Sequence, residues 1–172
     1  DAEIEKALND KPAMIRLKMN SLSDYKMIDK LYDASRAGVK IQLIVRGICC
    51  LIPGVPGMSD NIEAISIVDN LLEHSRIYIF GVDEEAQVFI SSADFMTRNI
   101  DERVEVTCPI YDNDIKKELI DTFTIYWTGN IKVRLHSERL ENRYRRLGEE
   151  RFQAQTELYK YYQNKIGVIV EA

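Results

Sequence analysis

A strand–helix–strand unit near the start of the chain constrains the fold more than any other feature. Residues 13–19 alternate apolar with basic side chains, which is the two-residue period of a strand. Apolar residues then recur at helical spacing over 24–37, between a capping serine or aspartate and Gly38. The run from Val39 to Val45 is rich in β-branched residues and is typical of a strand buried on both faces. This order predicts a right-handed crossover between two parallel strands.

The rest of the chain completes a single α/β domain over residues 1–172. Further strands are predicted at 62–68, 77–80, 87–90, 103–107 and 131–135. Further helices are predicted at 2–11, 69–73 and 113–127, and 138–172 is expected to be a mainly helical C-terminal segment. The predicted architecture is a mostly parallel or mixed central sheet flanked by helices.

Composition argues against several classes of protein. The net charge of −5 disfavours unspecific binding of nucleic acid across the surface, so no nucleic-acid partner is expected. No apolar run approaches the length of about 18 residues that a membrane segment needs. Cys49, Cys50 and Cys108 do not make a disulfide framework and have no zinc-type spacing. We therefore expect a cytoplasmic protein, and the lack of an initiator methionine before Asp1 suggests an excised domain.

Two polar segments, Glu73–Arg76 and Ser91–Asp94, predict a phosphate pocket. On an extended strand the side chains of His74 and Arg76 point to the same side. The second segment closes the next predicted strand with hydroxyls and a carboxylate. An imidazole and a guanidinium that face small polar residues suit a phosphate, although a structural role for His74 is an equally good interpretation. Whether Glu73 pairs with Arg76 or orients the imidazole is left open.

Basic residues at neighbouring strand ends extend this predicted pocket. Arg46 follows a buried strand, and ligands gather beyond the carboxyl ends of parallel strands. Lys18 lies near the matching end of the first strand, and Arg98 follows the second polar segment. Each can instead be an ordinary capping or surface residue, and for Arg103 a solvated turn is the preferred interpretation. His136 is expected at the surface.

Five segments of the chain resemble the last domain of bacterial polyphosphate kinase, of the phospholipase-D-like kind. They are Lys18–Leu22, Ala37–Ile41, Leu43–Gly54, Glu73–Tyr78 and Ile90–Asn99. The likeness runs in order from about Pro12 to about Leu147, and its segments are long and nonrepetitive. The resemblance implies a phospholipase-D-like fold and a full enzyme much larger than this chain.

The same resemblance implies an activity and site residues. That family transfers the terminal phosphate of ATP reversibly to polyphosphate, through a phosphohistidine in a preceding, homologous domain. Arg46 and His74 match positions that contact the nucleotide phosphates, and His74 is also a candidate for proton transfer; Lys18, Arg76 and Arg98 are weaker phosphate-binding candidates. The implied partners are ATP or ADP, inorganic polyphosphate, the preceding domains and, at full length, further copies in a homo-oligomer. Mg²⁺ is expected with ATP, although the chain shows no convincing ligands for it, and the isolated chain is expected to be inactive.

Two rival functions stay open. His74 and Arg76 also echo the wider phospholipase D signature, which would make the chain a phosphodiesterase or nuclease that pairs two sites across a dimer. Arginine replaces the signature's lysine at position 76, and Gly81 stands where the signature has an aspartate. Without that aspartate to orient the imidazole, hydrolysis is not expected. The other rival is a non-catalytic polyphosphate-binding module.

Overall fold

The computed structural model describes residues 1–139, 141–146, 148 and 150–170. In this part of the chain, four α-helices pack against one seven-stranded sheet. The helices are α1 (Ala2–Leu8), α2 (Tyr25–Arg36), α3 (Asn113–Thr128) and α4 (Ala154–Val170). The strands are β1 (Met14–Met19), β2 (Lys40–Val45), β3 (Ile62–Ile67), β4 (Arg76–Phe80), β5 (Gln87–Ser91), β6 (Thr107–Ile110) and β7 (Val133–Leu135).

The sheet is open and mixed, with the strand order β6-β5-β4-β1-β2-β3-β7. Strands β1 and β2 pair in parallel, with Met14 opposite Lys40 and Met19 opposite Val45, which confirms the predicted crossover unit. The pair β2–β3 is also parallel, while the remaining neighbours are antiparallel. The predicted α/β architecture with a mixed sheet flanked by helices is therefore confirmed.

Apolar side chains fill both faces of the sheet. Neighbouring residues of β2 alternate between the faces, so that Leu43 packs beneath α2 and Ile44 packs beneath α3. Leu31 on α2 and Phe123 on α3 are among the buried residues that complete the two cores. The central strands are covered on both sides, which is why β2 is rich in branched apolar residues.

Asp24 is the N-cap of α2 and also ties this helix to a distant loop. Its Oδ1 accepts the Met27 backbone N–H at 3.0 Å, in a cap of the usual kind. Its Oδ2 accepts the Thr97 hydroxyl at 2.9 Å, and Thr97 belongs to the connection that follows β5. Of the two predicted cap residues, Asp24 therefore takes the role, with Ser23 just outside.

Two of the predicted elements are wrong. The helix predicted at 69–73 does not form; this segment is an irregular loop with a bend at Asn70 and Leu71, and the Gln155 side chain binds both the N–H and the carbonyl of Leu71. The strand predicted at 103–107 begins instead at Thr107. Before it, the Glu105 side chain binds Ser92 and Asn99, and the Val106 backbone still forms hydrogen bonds with Ser92 just beyond the end of β5.

The charged segment after β7 begins with extended structure. Its described residues up to Gln153 are not helical, because Arg143 and Arg145 form backbone hydrogen bonds with β7. Helix α4 starts only at Ala154, and Leu140, Leu147 and Glu149 of the predicted helix lie outside the described residues. No described helix, α4 included, is long and apolar enough to span a membrane.

The prediction that His136 is a surface residue is wrong. Its imidazole is half-buried next to β7, its Nε2 is buried without a hydrogen-bond partner, and its backbone N–H donates to Ala64. Burial lowers the pKa of His136, and a hydrogen bond to the Val45 backbone opposes that effect only in part. His136 is therefore a neutral packing residue between β7 and the neighbouring strands.

Replacing Asp24 by alanine should destabilise the protein more than replacing the matching cap of α3. Asp112 also caps its helix through two backbone N–H groups, but it is exposed and makes no tertiary hydrogen bond. We expect Asp112→Ala to lower the free energy of unfolding by about 1 kcal/mol, the usual effect of a lost cap. Asp24→Ala should lower it by roughly 2 kcal/mol, because the buried Asp24 carboxylate also loses its hydrogen bond from the Thr97 hydroxyl. Equal losses in urea denaturation would contradict the tie between α2 and Thr97.

The three cysteines should differ in reactivity. All three thiols are free; Cys49 is half-buried against the core, while Cys50 and Cys108 are exposed. Burial raises the pKa of Cys49 to about 11, so its thiolate is scarce at neutral pH and increases only as the pH rises. Iodoacetamide at pH 8 should label Cys50 and Cys108 well before Cys49, as read by mass spectrometry of the peptides. Labelling of Cys49 at the rate of Cys50 would contradict this.

Candidate functional site

The strand order brings four strand ends to one edge of the sheet. Because β1 and β2 are parallel, their carboxyl ends meet there and place Asn20 beside Arg46. Strand β4 is antiparallel to β1, so it begins at this edge with Arg76. Strand β5 is antiparallel to β4 and ends there, with Ser91 opposite Arg76. The predicted meeting of the two polar segments and Arg46 therefore follows from topology alone.

A cleft of about 500 Å³ opens at this edge. Basic side chains dominate its lining: Arg46, Arg76, Arg98 and Arg103, together with His74. Two carboxylates, Asp94 and Glu105, also line it. Four of the five predicted site residues thus lie together around one cleft.

Arg76 and Asp94 form a largely buried ion pair that is joined by two hydrogen bonds. Arg76 Nε donates to Asp94 Oδ1 at 3.2 Å, and Arg76 Nη2 donates to Asp94 Oδ2 at 3.1 Å. These two parallel hydrogen bonds fix the guanidinium plane relative to the carboxylate plane. Asp94 Oδ1 also accepts the Asn20 backbone N–H at 2.8 Å. This carboxylate therefore joins the start of β4 to the end of β1.

Arg76 also contacts His74 and assigns the tautomer of its imidazole. Its Nη1 lies 2.9 Å from His74 Nδ1 and donates to the His74 carbonyl at 2.8 Å. A guanidinium has only donors, so Nδ1 must be the acceptor and the imidazole proton is on Nε2. The His74 side chain is exposed at the cleft. In this arrangement its Nε2 can donate a hydrogen bond to an anion but cannot accept a proton.

Three guanidinium groups keep uncompensated positive charge in the cleft. Arg46 Nε donates to Asn20 Oδ1 at 3.0 Å, while Arg98 and Arg103 are exposed. Within the described residues, none of these three arginines forms an ion pair. Glu105 stays anionic, because hydrogen bonds from Ser92 and Asn99 lower its pKa, and the nearby charges of Arg103 and Arg76 lower it further. The cleft is electrostatically suited to a polyanion such as a phosphate chain.

Lys18, the fifth predicted site residue, does not line the cleft. Its side chain is buried beneath the sheet edge, with Nζ 3.2 Å from Glu73 Oε2 and 2.8 Å from Ser75 Oγ. Burial lowers the pKa of Lys18, and the carboxylate of Glu73 opposes that effect. The open question about Glu73 is answered by the same contacts, since its partners are Lys18, Tyr126 and Gln155. Direct contact of Lys18 with phosphate stays a prediction.

Sequence reasoning placed Arg103 outside the site, yet it lines the cleft with Arg98. Arg98–Glu102 forms a π-helical turn that projects over the strand ends. The sequence favoured a solvated turn with local ion pairs for this residue. The signal that could have found it is the short spacing between the two arginines after the second polar segment.

The reasoning that linked Gly81 to the imidazole is wrong. Gly81 follows the last residue of β4, at the opposite end from His74, and its N–H donates to Met14 at the start of β1. Seven extended residues span about 23 Å, so an aspartate here could not reach His74. Gly81 instead has φ +96°, where glycine is favoured, and an added Cβ would lie 3.3 Å from Lys6 Nζ. The imidazole takes its orientation from Arg76.

The open mixed sheet flanked by helices is a phospholipase-D-like fold. Nuc from Salmonella typhimurium, a phospholipase D family member, superposes with a TM-score of 0.56 over 80% of this chain and 90% of its own, at 12% identity. That likeness concerns the fold alone. The polyphosphate kinase structure from Porphyromonas gingivalis superposes with a TM-score of 0.90 at 44% identity, over 95% of this chain and 25% of that one.

The particular family follows from the sequence matches. The model of the family described as "Polyphosphate kinase C-terminal domain 2" matches residues 1–155. Polyphosphate kinase of Vibrio cholerae serotype O1 is 48% identical over 165 residues, which is 95% of this chain and 24% of that protein. The enzyme of Lactiplantibacillus plantarum is 53% identical over 135 residues, 78% of this chain and 19% of that protein. The chain belongs to the polyphosphate kinase C-terminal domain 2 family, and it spans about a fifth to a quarter of the length of these relatives.

Replacing Asp94 by asparagine should unfold the protein much more readily than the same change at an exposed pair. Arg76 and Asp94 have side chains only 12% and 9% exposed, and breaking a buried pair costs about 3–5 kcal/mol. Asp33, which pairs with Arg36 on the exposed surface of α2, is the matched control. Asp33→Asn should cost about 1 kcal/mol or less. Urea denaturation measures both, and similar losses would show that the Arg76–Asp94 pair does not hold the strand ends together.

Proposed function

We propose that this domain supplies the phosphate-binding half of the polyphosphate kinase site, in which the terminal phosphate of ATP moves reversibly to polyphosphate. The observation that carries the proposal is the cleft in which Arg46, Arg98 and Arg103 keep their charge beside the Nε2–H of His74. Membership of the family supports the same reaction. The phosphohistidine that the resemblance implies would come from a preceding, homologous domain.

The chemistry of phosphoryl transfer matches what these residues offer. The reaction needs positive charge on the nonbridging oxygens and reacting atoms held in line, and little covalent help from the protein. Arg46 is held in place by Asn20 and neutralises charge on the phosphates of the nucleotide. His74 donates a hydrogen bond from Nε2 to a phosphate oxygen. Proton transfer by His74 would first require that the bond from Arg76 to Nδ1 break.

Magnesium is expected with ATP, and the residues of the cleft do not fit a site for it. Mg²⁺ prefers oxygen ligands in octahedral geometry. Both carboxylates of the cleft are already bound, Asp94 by Arg76 and Glu105 by Ser92 and Asn99. We therefore propose that Mg²⁺ enters as part of the nucleotide substrate, without ligands from these residues.

A phosphodiesterase or nuclease is the alternative that the fold itself favours. A nucleophilic imidazole needs an unprotonated nitrogen aimed at phosphorus. Arg76 holds His74 as the Nε2–H tautomer, which has no lone pair on the accessible nitrogen. This contact favours phosphate binding over nucleophilic attack.

The proposal predicts that Arg46→Ala and His74→Ala lose most of their phosphoryl transfer in the full-length enzyme. Removing one preorganised donor to a charged transition state typically lowers kcat by about 10²–10³-fold. Polyphosphate synthesis from ATP and its reversal measure the effect. Arg36→Ala is the matched control, since Arg36 is an exposed arginine paired with Asp33 on α2, away from the cleft. It should keep wild-type rates.

Three outcomes would overturn parts of this proposal. Robust ATP-dependent polyphosphate synthesis by the 172-residue chain alone would show that no other domain is needed. Hydrolysis of a phosphodiester by the chain, abolished by His74→Ala, would establish the alternative. If the full-length enzyme keeps its phosphoryl transfer in both Arg46→Ala and His74→Ala, the cleft has only a binding role.

A further inference from the structure

A buried ion pair lies directly behind the segment that carries His74. Lys18 Nζ and Glu73 Oε2 are 3.2 Å apart, and the two side chains are only 3% and 10% exposed. Removing two charges from water is costly, so a buried pair is weak support for stability by itself. Because the pair lies beside the candidate site, a role in the geometry of that site explains it better than a contribution to stability.

Each member of the pair has further partners. Glu73 Oε1 accepts the Tyr126 hydroxyl at 2.8 Å and the Gln155 amide at 2.7 Å. Lys18 Nζ donates to Ser75 Oγ at 2.8 Å and to the Ser75 carbonyl at 3.3 Å. The ammonium also lies 4.9 Å from the centre of the Tyr126 ring. The result is a satisfied polar network that joins β1, α3 and the start of α4.

This network binds Glu73 and Ser75, the residues on either side of His74, from the buried side of the segment. Glu73 is anchored through its carboxylate, and Ser75 through its hydroxyl and carbonyl, while the His74 side chain itself is exposed. Strand β4 begins only at Arg76, so these three residues lie outside its ladder. The ion pair therefore fixes the backbone of residues 73–75, which the hydrogen bonds of the sheet do not hold.

We propose that Glu73 and Lys18 are positioning residues that set the place of the His74 imidazole in the cleft. The inference rests on the proposed function, in which His74 contacts the phosphate that is transferred. It gives Lys18 a role behind the site, in place of direct phosphate binding. Misplacement of a reacting group by about 1 Å can cost up to 10²-fold in rate, which sets the scale of the expected effect.

The experiment compares single and double variants in the full-length enzyme. Glu73→Gln and Lys18→Met should each lower kcat by about 10–10²-fold with the KM for ATP within about threefold, because positioning is lost and ground-state binding is not. Glu3→Gln is the matched control. Glu3 is a buried carboxylate at the far end of β1 that pairs with Lys6 and accepts the Met14 N–H. It should change melting temperature without changing kcat.

The double variant Lys18→Met/Glu73→Gln separates positioning from stability. It leaves no unpaired buried charge, so its melting temperature should recover toward that of the wild type. Its kcat should stay low, because Ser75 has still lost the ammonium that held it. Tyr126→Phe removes a single hydroxyl from the network and replaces the charge variants in the experiment if one of them fails to fold. It should lower kcat by about threefold or more.

Four results would overturn the inference. Recovery of kcat together with melting temperature in the double variant would make the pair merely structural. A raised KM for ATP with unchanged kcat in Lys18→Met would make Lys18 a substrate ligand. Full activity of Glu73→Gln, in an enzyme that His74→Ala inactivates, would remove the positioning role and leave the proposed function intact. Full activity of His74→Ala would instead remove the proposed function, and the positioning role with it.

Discussion

The two parallel hydrogen bonds between Arg76 and Asp94 hold the site together. They join the first residue of β4 to the loop after β5, and the same carboxylate binds the backbone at the end of β1. Because Arg76 is fixed in this way, its remaining N–H groups are aimed at His74 and set the tautomer of the imidazole. The cleft therefore has one buried guanidinium that organises it and three that remain available for a ligand.

Local patterns predicted those parts of the fold in which neighbours along the chain are also neighbours in space. The crossover unit was predictable because strand and helix patterns of apolar residues follow one another directly along the chain. The two polar segments lie together because β4 and β5 are adjacent antiparallel strands. Segment 69–73 was assigned as a helix because its tie to Gln155 comes from a distant part of the sequence. Such long-range partners leave no periodic signal.

Lys18 shows why the rest of the site was harder to predict. The alternation of basic and apolar residues in β1 is typical of a strand with one face in water. Here α3 and α4 cover the second face, so Lys18 is buried, and the Arg16 Nε is buried without a hydrogen-bond partner. Residue type suggested a phosphate ligand, but the direction of the side chain depends on helices encoded about a hundred residues later. Only the packed structure distinguishes the two roles.

The hydrogen bonds between Gln155 and Leu71 have a consequence for how the site forms during synthesis. They connect residues 84 positions apart, so the segment before His74 emerges from the ribosome long before its partner does. The sheet edge and its arginines can assemble first, since their contacts lie earlier in the chain. The backbone around His74 acquires its final restraint only when the start of α4 has been translated.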